Sequence, residues 1–266
     1  MTAGKKCIVG MIHCLPLPGT LGYGGDVEAI YARVLADAAA LQAAGVDAMI
    51  VENTNDTPGA SRLEPEQIAA LAAATRLAVE NVNVPVGVDA SFNDGVAGMA
   101  IACAANAAFI RSPVFVDNLQ VTGIGALRPC AKEVIRFRRL LGAERIGIWA
   151  DVQVKHSHPL SPGISLEESA QAARERGAEV LIVTGLSTGL ETPLASVQRV
   201  KAAVPLPVVV GSGFKKQNAR EQLSIADGAI VGSAMKRDGV ILDPIDPELS
   251  RQLMEEVRRI TEELGV

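Results

Sequence analysis

The chain has 266 residues, of which 48% are hydrophobic, and its 25 Lys+Arg against 30 Asp+Glu give a net charge of −5. That composition supplies a large core and excludes a disordered chain, while 3% aromatics and the lack of a dense basic block argue against nucleic-acid partners. The four cysteines form no C-x-x-C pair, no hydrophobic run reaches the roughly 18 residues of a membrane span, and the N-terminus has no secretory apolar region, so a cytoplasmic chain without an integral membrane segment is expected.

Cys7–Ile12 reads as a short buried strand ending at His13, followed by a loop rich in proline and glycine. Asp26 caps a helix to about Ala44 that Gly45 closes. A second strand, Asp47–Val51, ends at Glu52-Asn53 and leads to a helix from about Pro65 to Asn81. Val86–Val88 is the third strand, with Asp89 and Ser91 near its end, and Asn93 is read as the cap of a helix ending near Asn106. Ala108–Ile110 ends at Arg111, and Pro113 to Gly125 is read as irregular ahead of a helix ending near Leu141-Gly142. Arg145–Ala150 ends at Asp151, and Ser165 caps a helix to Gly177. Glu179–Val183 ends at Thr184-Gly185, and a helix at about Pro193–Ala203 leads into the last two strands, Val208–Val210 and Ala229–Val231. Asp246-Pro247 starts the terminal helix.

Strand–helix alternation implies parallel strands and right-handed crossovers, and eight such units favour closure into a TIM (β/α)8 barrel over residues 1–266 as a single domain. An open doubly wound sheet is the alternative, but no G-x-G-x-x-G follows the first strand.

The barrel gathers His13, Glu52, Asn53, Asp89, Arg111, Asp151, Thr184, Ser212 and Ser233 on the face where such barrels keep their active sites. The opposite strand ends carry plainer sequence such as Gly45-Val46 and Gly177-Ala178. The last two strands end in Gly211-Ser212-Gly213 and Gly232-Ser233, with Lys236 shortly after, and glycine turns with free amides suit a phosphate group. In Asp151-Val-Gln-Val-Lys155-His156, continued alternation would put Asp151, Gln153 and Lys155 on one side. Asp151 and Lys155 are the candidates for proton transfer, with Lys155 able to act as acid, base or imine-forming amine and His156 as a titrating neighbour. Arg111 either clamps an anion or pairs with Glu52 or Asp89. A divalent metal on Glu52, Asp89, Asp151 and His156 is the weaker alternative; no cofactor is expected.

The segments His13–Gly19, Val51-Glu-Asn53, Ala150–His156, Ile182–Gly185, Val210–Gly213, Ile230–Ser233 and Lys236–Gly239 together resemble the BtpA/SgcQ family over about Val9 to Gly239. The resemblance implies a β/α barrel of the phosphate-binding group. It carries two functional labels, photosystem I accumulation or stability and nucleosidase or related sugar-phosphate chemistry. On that basis the expected partner is a phosphorylated small molecule, held by Gly211, Ser212, Gly213, Gly232, Ser233 and Lys236. His13, Glu52, Asp151 and Lys155 would be catalytic, and Asn53, Asp89, Asn93, Arg111, His156, Thr184 and Gly185 would contact the rest of the substrate. Oligomerisation with further copies of the chain is expected of such barrels. The sequence departs from the family at Asp89, where asparagine is expected, at Gln153, where histidine is expected, and in the loop after Arg111.

Overall fold

Alternation within short apolar runs decides what each strand faces. In the computed structural model, which describes residues 5–161, 163–185 and 190–265, eight runs form a closed ring of parallel strands. They are β1 (Cys7–His13), β2 (Ala48–Glu52), β3 (Val86–Asp89), β4 (Phe109–Ser112), β7 (Gly147–Val152), β9 (Val180–Val183), β10 (Val208–Val210) and β11 (Gly228–Val231), and the ring closes where β1 pairs with β11. Helices α1 (Val27–Ala44), α2 (Pro65–Asn81), α3 (Gly95–Ala105), α4 (Ala131–Leu140), α5 (Leu166–Glu175), α6 (Leu194–Ala203), α7 (Ala219–Ile225) and α8 (Pro247–Leu264) follow the strands in turn. The expected TIM barrel is therefore the fold, and the open sheet is not. Asp26 caps α1 by accepting the Glu28 and Ala29 amides, and Asp246 does the same for Glu248 and Leu249 at the start of α8.

Two cores divide the strand residues by parity. Val9 and Met11 on β1, Ala48 and Ile50 on β2, Phe109, Trp149, Val180, Ile182, Val209 and Ile230 fill the barrel interior. Their neighbours Ile8, Ile12, Met49, Val51, Val88, Ile110, Ile148, Leu181, Val208 and Val231 pack outward in the larger helix-covered core. Phe109 and Trp149 stack inside the barrel with centroids 4.2 Å apart. One step above this apolar plug, the next inward positions are His13, Glu52, Asp89, Arg111, Asp151, Gly211 and Gly232. The register His13↔Glu52, Glu52↔Asp89 and Asp89↔Arg111 places them side by side around the ring.

Three local expectations need correction. Pro113–Gly125 is not irregular throughout: β5 (Leu119–Val121) pairs antiparallel with β6 (Gly125–Leu127) and with β8 (Ser157–Pro159). Strands of three residues are too short to show a period, and their driving force is a separate apolar cluster of Val114, Leu119, Val121, Leu127 and Val154. The cap of α3 is Asp94, which accepts the Ala97 amide at 3.0 Å, not Asn93. Finally, β7 stops at Val152; Gln153 has φ 47° and its side chain turns to Ser169 Oγ and the Ile164 carbonyl, so it does not continue the Asp151–Lys155 face. Among the described residues no helix is long and apolar enough to cross a membrane.

Candidate active site

The rim holds two cavities with a shared wall. The smaller, about 50 Å³, is lined by Gly211, Ser212, Gly213, Gly232, Ser233, Arg111 and apolar Met11, Phe214 and Ile230. The larger, about 220 Å³, is lined by Asn53, Asp56, Arg62, Gln67, Ser91, Phe92, His156 and neighbouring loop residues. His13, Glu52, Lys155 and Ile241 face both. The structure thus brings His13, Glu52 and Lys155 to the glycine loops, the convergence that the sequence predicts.

Close approach shapes the small cavity. Gly213 has φ +69°, and a Cβ there would lie 2.3 Å from the Leu190 carbonyl oxygen; at Gly232 it would meet His13 Cε1 at 2.8 Å. No acceptor among the described residues takes the amides of Ser212, Gly213 or Ser233. These amides and the Ser233 hydroxyl ring a space that an anion of phosphate size would suit. The Ser212 hydroxyl is already engaged: it accepts the Gly185 amide at 2.8 Å and donates to the Leu190 carbonyl. Thr184 Oγ1 accepts the Lys155 amide at 2.8 Å. Thr184 and Gly185 therefore position Lys155 and Ser212 and line neither cavity.

Beneath the cavities lies a buried layer of charge. Arg111 donates through Nε and Nη2 to the two oxygens of Asp151, both at 2.9 Å, and its Nε is 3.6 Å from Asp89 Oδ2. Burial works against the Arg111 charge, but Asp151, then Asp89 and Glu52, hold its pKa above the ordinary range. Asp89 is 1% exposed and its Oδ1 has no partner among the described residues. Burial, then the Glu52 charge, raises its pKa well above the usual carboxylate range, against the opposing Arg111 charge. Asp151 is fully buried in the Arg111 pair and lines neither cavity, so its place is structural and electrostatic rather than at a reacting atom.

His13 is 5% exposed, and burial, with Lys236, Lys155 and Arg111 nearby, depresses its pKa to about 3. It is neutral at pH 7, so its 3.5 Å contact with Glu52 is a long polar contact and not an ion pair. Glu52 is fixed from the other side by the Ser91 hydroxyl, which donates to Oε1 at 2.8 Å. Lys155 is half-buried; burial, then the Arg111 charge, lowers its pKa, and its Nζ has no hydrogen-bond or ion-pair partner among the described residues.

Lys236 does not reach the cradle. It is 2% exposed and its Nζ donates to the Ile241 and Asp243 carbonyls, the latter at 2.7 Å, so it ties down the loop after β11. Asn93 also leaves the substrate set, because its side chain accepts the Val114 amide at 2.9 Å and donates back to the Val114 carbonyl. The donor set of the metal alternative suits a divalent ion poorly: Asp89 is buried with its pKa raised, and both Asp151 oxygens accept from Arg111. Among the described residues no group of three or more His, Cys, Asp or Glu could hold one.

Sequence reasoning missed Asp56, Gln67 and Ile241. Asp56 accepts the Leu17 amide, the Asn53 side-chain amide and the Gln67 side-chain amide, each at 2.8 Å, and so knots three rim segments. Ile241 arrives from the loop that Lys236 anchors, and nothing in its local sequence marks it.

Comparison with known proteins agrees with the fold. A family model described as BtpA family matches residues 4–259. An uncharacterized protein of Pyrococcus abyssi is 36% identical over 98% of this chain and 99% of its own length. The photosystem I biogenesis protein BtpA of Synechocystis is 36% identical over 90% of this chain and 84% of its own. Among solved structures, the thiamine phosphate pyrophosphorylase of Pyrococcus furiosus aligns with a TM-score of 0.57 at 20% identity, covering 98% of this chain and 97% of the other. The (S)-3-O-geranylgeranylglyceryl phosphate synthase of Thermoplasma acidophilum, solved with its substrate sn-glycerol-1-phosphate, aligns with a TM-score of 0.58 at 16% identity over 99% of each chain. At those identities the structures bear on the fold alone. The family match over nearly the whole length, joined to the closed barrel and its polar rim, establishes that this chain belongs to the BtpA family.

Proposed function

We propose that this chain is an enzyme that acts on a phosphorylated small molecule, a sugar phosphate or nucleotide-derived compound, at the C-terminal rim of the barrel. The observation that carries the reading is the shared wall. A cradle carrying the amides of Ser212, Gly213 and Ser233, which meet no acceptor among the described residues, opens directly onto His13, Glu52 and Lys155. The phosphate would sit in the smaller cavity, where Lys155 on the shared wall is the cation left for it, and the remainder of the substrate would fill the larger one. Lyase, isomerase and nucleosidase-type chemistry all suit a site with one unpaired amine, one carboxylate held by a hydroxyl and one neutral imidazole. The sn-glycerol-1-phosphate complex of the Thermoplasma acidophilum synthase supports a phosphorylated ligand in this fold.

The name of the Synechocystis relative favours a second reading, a non-catalytic factor in photosystem I biogenesis.

Titration calorimetry with inorganic phosphate tests the anion site. The wild-type chain is expected to give saturable binding, and Gly232→Ala, whose methyl group would press on His13, to weaken it by about tenfold or more, or at least 1.4 kcal/mol. A wild-type chain that binds neither inorganic phosphate nor any phosphorylated sugar removes the reading.

A further inference from the structure

Lys155 stands apart from the other cations of the rim. Arg111 is chelated by Asp151, and Lys236 is spent on two carbonyls. Of the lysines and arginines described, Lys155 is the one that faces both cavities, at the junction between the amide cradle and the larger compartment, and its Nζ meets no acceptor among the described residues. The three nearby acids are engaged elsewhere: Asp151 with Arg111, Glu52 with the Ser91 hydroxyl, and Asp89 in the buried layer below. The backbone holds the lysine in that place, because its amide donates to Thr184 Oγ1 and the residues Gln153 and His156 on either side of its segment both take positive φ. Burial and the Arg111 charge bias this half-buried ammonium toward the neutral amine, against the opposing pull of Glu52, Asp151 and Asp89.

We infer that Lys155 is a nucleophilic amine that forms an imine with the carbonyl group of a phosphorylated aldehyde or ketone. The inference rests on the phosphate reading above and narrows it, since it selects carbonyl chemistry and sets aside N-glycosidic cleavage. The Nζ lone pair attacks the carbonyl carbon as the carbonyl π pair moves to oxygen, and one of the two amine protons passes to that oxygen, giving a carbinolamine. Nζ then loses its remaining proton as the hydroxyl leaves as water, so that carbonyl and amine become imine and water, with no oxidant or reductant needed. Glu52, on the same wall, is the group placed to pass the proton to the departing hydroxyl. Once protonated, the imine is an electron sink for cleaving or forming a bond at the adjacent carbon, which is lyase or isomerase chemistry.

The test is reductive trapping. The full chain is incubated with glycolaldehyde phosphate or dihydroxyacetone phosphate, reduced with borohydride, digested and mapped by mass spectrometry, alongside calorimetry with inorganic phosphate. The expected result is a secondary-amine adduct on Lys155. Saturating inorganic phosphate should suppress it, Lys155→Arg and Lys155→Met should abolish it while keeping the wild-type melting profile, and glycolaldehyde without phosphate should form it about tenfold more slowly or less. If phosphate binds but adducts fall only on surface lysines such as Lys215 and Lys216, or nowhere, the imine inference is overturned and the phosphate reading stands. If phosphate does not bind, both fall.

Discussion

Asp151→Ala separates a structural acid from a catalytic one. Asp151 is fully buried, accepts two charge-assisted hydrogen bonds from Arg111 at 2.9 Å, and touches neither cavity. Its removal leaves the Arg111 guanidinium, itself 6% exposed, without a hydrogen-bonded carboxylate among the described residues and with Asp89, whose pKa burial raises, 3.6 Å away. Breaking a buried pair in this way costs about 3–5 kcal/mol, because the surviving charge stays desolvated. For a chain near this size that is a fall of roughly 6–20 °C in Tm. Replacing both partners with apolar residues of similar size, Arg111→Met with Asp151→Leu, is expected to recover much of the loss, since it removes the unpaired charge as well. Glu52→Ala, at a carboxylate facing the cavities, should change stability by no more than about 1 kcal/mol. Thermal melts followed by circular dichroism read all three. An Asp151→Ala variant that melts within about 2 °C of wild type would refute the claim that this pair holds the floor of the site.

Other outcomes follow from the same geometry. Lys236→Met leaves the Ile241 and Asp243 carbonyls without their donor, so it should cost about 1–3 kcal/mol while phosphate affinity stays essentially unchanged; a tenfold loss of affinity, about 1.4 kcal/mol, would return Lys236 to the cradle. His13 has its pKa depressed from 6.5 to about 3 in the folded chain, so the unfolded chain takes up a proton across that window and stability is lost as the pH falls through it. The loss for one proton is about 1.4 kcal/mol per pH unit, and His13→Asn should flatten the stability–pH curve by that slope in denaturant titrations at pH 4–6. Equal slopes for variant and wild type would mean that His13 titrates normally.

The readable part of this molecule is its succession of short apolar runs that each end in a polar residue: Cys7–Ile12 ends at His13 and Asp47–Val51 at Glu52, and caps such as Asp26 and Asp246 mark the helices between, while which strand residues face inward emerges only in the structure. What stayed hidden depends on contacts between distant residues. That Arg111 takes Asp151 in preference to an anion is a matter of spacing between β4 and β7, which no local pattern encodes. Lys236 follows Gly232 and Ser233 by a few residues, as a phosphate ligand would, yet the carbonyls at 241 and 243 claim it. The positive φ at Gln153 breaks an alternation that the letters seemed to continue, and the strands over β5, β6 and β8 are each too short to announce themselves.

The central claim is that an anion of phosphate size occupies the cradle between the two glycine loops. Anomalous diffraction from crystals grown with tungstate, a heavy tetrahedral dianion, locates such an anion directly. The account predicts a strong peak within hydrogen-bond reach of the Gly213 and Ser233 amides, beside Lys155 and lost on competition with phosphate. Peaks confined to surface arginines, with the cradle empty at saturating tungstate, would contradict it.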